Sequence, residues 1–104
     1  MPTTVAVYTP DLMDRSKISS AAPDARFVSS PDALVGLAGV DAVVVDLNKK
    51  GVLEALPAIV ASIPRVLAYG RHVDAAILAA AKEAGCGEVM TRSDFFARLP
   101  ELLG

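Results

Sequence analysis

The sequence predicts an α/β fold in which a five-stranded parallel sheet is covered by helices on both faces. Three observations lead there. Short runs rich in β-favouring residues alternate with helix-like segments along the whole chain. The run Ala42–Val45 is apolar without alternation, as in a strand buried on both faces. The connecting segments are long enough for right-handed crossovers between parallel strands.

Each element follows from local chemistry. Val5–Tyr8 reads as the first strand. Pro10 cannot donate to a ladder and Asp11 suits a helix cap, so a helix is expected over Leu12–Ala21, ending before Pro23. Arg26–Val28 is a short second strand. Ser30-Pro31-Asp32 offers a cap, a proline at the first helical position and an acid in the first turn, predicting a helix to Leu37, stopped by Gly39. Ala42–Val45 is the third strand, running into Asp46. A third helix is expected within Val52–Ser62, beginning near Leu53 or kinked, because Pro57 removes a backbone donor. Arg65–Tyr69 is the fourth strand. The Ala-rich segment Val73–Ala84 is the clearest helix, with Asp74 in its first turn and Gly85 as its stop. Glu88–Thr91 is the fifth strand. Ser93 is expected to cap a last helix from Asp94, which Pro100 shortens or bends.

This βαβαβαβαβα order suits the flavodoxin-like (βα)5 three-layer sandwich, strand order 2-1-3-4-5. The 104 residues read as one domain, 1–104. In such sheets ligands sit at the carboxyl ends of the strands, near the switch between strands one and three. Asp46 falls at that edge.

Composition narrows the function. At 53% hydrophobic and 21% charged the chain has material for a real core. Its net charge of −2, with Lys49-Lys50 the only basic pair, lacks a nucleic-acid footprint. With 2 Tyr, 3 Phe and no Trp, a stacking platform for single strands is also unexpected. The opening MPTTVAVYTPD has no basic patch followed by a long apolar run, so no leader is expected. Nothing approaches the roughly 18 apolar residues of a membrane span. One cysteine, Cys86, fits a reducing cytoplasm and an inert buried thiol. No nucleophile–base pair or Gly-rich phosphate loop is recognisable, and the lone His72 belongs to a loop, so no enzyme activity and no cofactor are expected.

The segments DAVVVDL, IPRVLAYG and AAKEAGCGEVMTRSDF resemble the receiver domain of response regulators over essentially the whole chain. DAVVVDL is similar to the strand that ends on the phosphoacceptor aspartate, which makes Asp46 the phosphoacceptor equivalent. AAKEAGCGEVMTRSDF is similar to the family's A…AGA…YLTKPF segment. The departures are equally specific. The acidic pair that holds Mg²⁺ in receivers is replaced by Thr9-Pro10, with Asp11 one residue late. The family's Thr/Ser corresponds to Tyr69 or Gly70, its Lys to Arg92, its following cis-Pro to Ser93 and its switch aromatic to Val89. The loop after Asp46 lacks the usual Met-Pro, and Gly51 comes about three residues early.

The resemblance therefore implies an atypical or pseudo-receiver: a stand-alone signalling module that works by protein–protein contact, without phosphorylation. The alternative is a receiver phosphorylated on Asp46, with Mg²⁺ held by Asp11 and Asp46. Asp11 reads either as that ligand or as a helix cap. Asp46 reads as a functional carboxylate, or as one that accepts amide bonds from the loop Leu47–Gly51. Arg92 and Tyr69 are the switch equivalents. Arg92 either pairs with Asp46 or is a solvated loop residue, and Tyr69 either closes over the pocket or packs on the fourth helix. In SDFFARLPELLG, Phe96, Leu99 and Leu103 form one stripe, and Phe95 and Leu102 a second. One stripe is expected on the sheet and the other on a partner, with Phe95, Phe96, Leu99 and Leu103 as the interface candidates, unless Pro100 bends the chain and buries both. The expected partner is another protein or a second copy, docked on the fourth helix, fifth strand and fifth helix.

Overall fold

The computed structural model describes residues 4–103. The leader expectation at residues 1–3, and Gly104, lie outside them. The elements are β1 (Val5–Tyr8), α1 (Leu12–Ala21), β2 (Arg26–Phe27), a 3₁₀ turn (Pro31–Leu34), β3 (Ala42–Asp46), α2 (Val52–Ser62), β4 (Arg65–Gly70), α3 (Ala75–Glu83), β5 (Glu88–Thr91), α4 (Arg92–Ala97) and α5 (Leu99–Leu103). The sheet is parallel throughout and its order is β2-β1-β3-β4-β5. The predicted fold is the observed one.

Alternation along the central strands divides the core in two. Ala6, Val43, Val45 and Ala68 point toward α2 and α3, meeting Leu34, Leu56, Ile59 and Ala81. Val5, Val7, Val44, Leu67 and Tyr69 point the other way, meeting Ile18 of α1 and Phe95, Leu99 and Leu102 of α4 and α5. All of β3 is buried, as its unbroken apolar run requires. Cys86 lies in the first core, its thiol donating to the Val66 carbonyl at 3.3 Å, and burial pushes that thiol above its ordinary range.

Two local expectations change, and that for the third helix stands. The helix expected up to Leu37 is only the 3₁₀ turn, because Gly36 and Gly39 both take positive φ and unwind the segment. α2 starts at Val52 behind a left-handed Gly51 (φ 86°), and Pro57 sits in its second turn on the exposed face, where water can serve the carbonyl it leaves unpaired. The last helix is two. Thr91, not Ser93, caps α4 by accepting from the Asp94 amide at 3.2 Å. Pro100 has no N–H for the Phe96 carbonyl, so the chain breaks at Arg98 and restarts as α5.

That break decides the terminal stripes. Phe95, Leu99 and Leu102 are buried, while Phe96 and Leu103 are half-buried against the same core. Phe95 and Leu99, expected as partner-facing, are core residues, because the bend turns both stripes inward. Among the described residues no helix is long and apolar enough to cross a membrane.

Candidate functional site

The carboxyl edge of the sheet gathers the ends of β1, β3, β4 and β5. Asp46 closes β3, opposite Tyr69 of β4 in the register. It is 4% exposed, and its Oδ1 accepts the Asn48 amide at 3.0 Å. Burial pushes its carboxyl above the ordinary range, against the opposing pull of that amide and of Lys49. Oδ2 makes no hydrogen bond among the described residues. The loop-amide reading of this aspartate is thus realised on one oxygen only.

Asp11 is the N-cap of α1. Its Oδ1 accepts from the Met13 amide at 2.9 Å and the Asp14 amide at 3.1 Å. These bonds, the Asp14 amide foremost, hold its carboxyl below the ordinary range. Asp11 does not line the cavity at Asp46, so the structure does not bring the two expected metal ligands together there.

The acid that does reach inward is Asp14. It sits in the first turn of α1, one turn before the buried Ile18, and its side chain is 0% exposed. Arg92, 40% exposed, spans from the start of α4 and donates from both Nη groups to the two Asp14 oxygens. Of the two readings of Arg92, a pair with Asp46 or a solvated loop residue, neither holds: its partner is Asp14. The Tyr69 hydroxyl lies 3.0 Å from Asp14 Oδ2 and 3.0 Å from Thr9 Oγ1. A phenol has one proton, so Tyr69 donates to the carboxylate and the Thr9 hydroxyl completes the pair. Burial drives the Tyr69 phenol far above its ordinary range, so it remains a donor. Its ring stacks on Phe95 at 4.7 Å, not on the Ala-rich helix, and Phe96 meets both rings edge-on. The Arg92 guanidinium lies 5.0 Å from the Phe96 centroid.

A second polar group ties the β3–α2 loop to the β4–α3 loop. Asn48 Oδ1 accepts the Arg71 amide at 2.8 Å, and Asn48 Nδ2 donates to Asp74 Oδ2 at 2.6 Å. Arg71 Nε reaches the same Asp74 oxygen at 3.0 Å. Gly70 makes room for this clasp: a Cβ there would lie 3.2 Å from Asn48 Oδ1 and 3.3 Å from Leu78 Cδ2. Between the two networks is a cavity of about 170 Å³, lined by Asp46, Asn48, Lys49, Tyr69, Arg71 and Arg92. His72 is exposed in the β4–α3 loop.

The strand order has counterparts among solved structures. No protein-family model and no curated protein matches the chain. A response regulator from Thermotoga maritima shares 18% identity at a TM-score of 0.73, covering 98% of this chain and 94% of that one. The receiver domain of the putative response regulator NarL from Mycobacterium tuberculosis shares 17% at 0.76, covering 97% and 92%. The BeF3-activated DrrB receiver domain shares 22% at 0.74, covering 99% and 98%. The chain has a receiver-like fold. At these identities the likeness fixes the receiver architecture, and the chemistry must be argued from the residues themselves.

Sequence reasoning located Asp46, Tyr69 and Arg92 on this receiver-like edge and named Thr9 and Asp74 only by position, without their bonds here, while Asp14, Asn48 and Arg71 went unnoticed. One signal was available for Asp14: its i, i+4 spacing to Ile18 puts it on the inward stripe of α1. The Asn48 clasp joins loops 23 and 26 residues apart in sequence and left no such signal.

Proposed function

We propose that this chain is a receiver-like signalling module that passes its signal by protein–protein contact and works without phosphorylation. The observation that carries this reading is the pairing of Arg92 with Asp14. Aspartyl phosphorylation needs a divalent cation to neutralise charge and orient the donor, and Mg²⁺ recruits carboxylates for that purpose. Here one candidate carboxylate, Asp11, caps a helix, and the other, Asp14, has both oxygens occupied by a guanidinium. A cation would have to displace an ion pair whose acid is fully buried, leaving Arg92 without a partner. Arg92 instead supplies a fixed positive charge on the acid beside the cavity. The module needs no Mg²⁺, performs no catalysis and belongs in the cytoplasm on this reading. Its partner, another protein or a second copy, docks on α3, β5 and α4, where Lys82, Glu88, Asp94 and Arg98 flank Leu78 and Met90.

A second reading has one observation in its favour. Asp46 keeps an oxygen without an intramolecular bond, facing a cavity with cationic walls. That is the arrangement of a phosphoacceptor, with Asp14 released by Arg92 to share the metal. Incubation with Mg²⁺ and acetyl phosphate followed by intact-mass measurement separates the two. The proposed function expects an unchanged mass. A phosphoryl adduct that disappears in Asp46→Asn establishes the second reading.

A further inference from the structure

One groove serves neither the Asp46 edge nor the proposed partner face. It lies between α1 and the end of the chain, holds about 440 Å³, and is lined by Lys17, Ser20, Ala21, Phe96, Leu99 and Pro100. None of these six lines the Asp46 cavity or the α3–β5–α4 face. The groove straddles the break made by Pro100, with Phe96 of α4 on one side and Leu99 and Pro100 of α5 on the other. Lys17 is its one charged lining residue and makes no ion pair among the described residues. The Lys17 ammonium stands 5.1 Å from the Phe96 centroid. The Arg92 guanidinium stands 5.0 Å from the same centroid, but Asp14 neutralises that charge. The groove therefore carries one positive charge with no anion to match it, above a mostly apolar floor.

A ligand that completes this site brings one anionic group and an apolar body. A bare oxyanion has no hydrocarbon with which to cover the floor. A further aromatic ring finds little of Phe96 to use, since two cations stand over it and Tyr69 and Phe95 meet it at 5.3 and 5.0 Å. What remains is aliphatic: Ala21, Leu99 and Pro100. Met13, one turn before Lys17 on α1 and 71% exposed, extends the apolar edge past the charge. The volume falls within the roughly 300–1,000 Å³ of small-molecule sites. We propose that this groove binds a free medium-chain aliphatic monocarboxylate, its carboxylate on Lys17 and its hydrocarbon along Ala21, Leu99 and Pro100. Binding is noncovalent and needs no metal. It depends neither on whether Asp46 is phosphorylated nor on which face a protein partner uses.

The test is titration of the full chain with butyrate, hexanoate, octanoate and 1-octanol at pH 8 and constant ionic strength, below micelle-forming concentrations, followed by backbone-amide NMR. Octanoate is expected to give saturable shifts at Ser20, Ala21, Phe96 and Leu99. Affinity should rise about two- to fourfold for each added methylene, the upper value corresponding to full burial. Octanoate should bind up to about fivefold more tightly than 1-octanol, the range of one exposed ion pair. Lys17→Met keeps an apolar stem over Phe96 without the charge; it should erase that preference while still binding 1-octanol, with a nearly unchanged thermal midpoint. Lys17→Glu should bind 1-octanol and reject octanoate. Shifts confined to residues away from the groove, an affinity independent of chain length, or an octanoate-to-octanol ratio that Lys17→Met leaves unaltered would each overturn the proposal.

Discussion

Replacing Arg92 by alanine strands a carboxylate that has no access to water, whereas replacing Asp14 by asparagine leaves a guanidinium that is 40% exposed and can turn outward. The two halves of one ion pair therefore have unequal costs. Arg92→Ala is expected to lose about 3–5 kcal/mol, the range for an uncompensated buried charge, and Asp14→Asn distinctly less. Urea denaturation of the single and double variants checks this: the double variant should be more stable than Arg92→Ala alone. Asp46 gives a prediction of opposite sign. Its folded-state pKa lies above the unfolded value of 3.8, so within that interval the native state binds more protons than the unfolded one. Its contribution to stability is present at acid pH and is lost as pH rises through the folded pKa. Asp46→Asn lacks that loss and keeps a carbonyl oxygen for the Asn48 amide. It should match the native chain near pH 3 and exceed it in stability at pH 7, measured by unfolding across that range.

Capping chemistry governs the elements around the site. Asp11 holds the first turn of α1 and thereby aims Asp14 inward, and Thr91 does the same for α4 and Arg92. Asp11→Ala and Thr91→Ala should each cost about 1 kcal/mol in thermal unfolding. Neither should remove the fold. Much of this level was legible in the sequence. The strand β3, the Ala-rich α3 and the fifth strand stand where composition puts them, because continuous apolar runs and strong helix formers act locally. One element was misjudged for an identifiable reason: Gly36 and Gly39 outweighed the Ser-Pro-Asp start of the second helix. The break of the last helix at Pro100 was legible, because a missing N–H acts locally, but its cap at Thr91 was not. The site was legible in part. Asp46 followed from the end of a buried strand, but Arg92 found Asp14, 78 residues away, and a contact of that separation is set by tertiary packing.

At the scale of the molecule, a parallel sheet covered on both faces concentrates chemistry at its carboxyl edge, and the proposed partner face is the α3–β5–α4 side. β5 is an edge strand, and its side chains are only half-buried. If two copies meet there, Arg98→Glu reverses one of the four charges that flank Leu78 and Met90 on that face. Light scattering should then show a shift from dimer to monomer with an unchanged thermal midpoint; a mass independent of this substitution would place the partner surface elsewhere. The account as a whole rests on Arg92 having taken the place of a cation beside Asp46. Titration of the isotope-labelled chain with millimolar Mg²⁺, followed at the backbone amides of Asp14, Asn48 and Thr91, addresses that claim most directly. The account predicts no saturable shift at these residues in the native chain. A saturable shift that is lost in Asp46→Asn would contradict it.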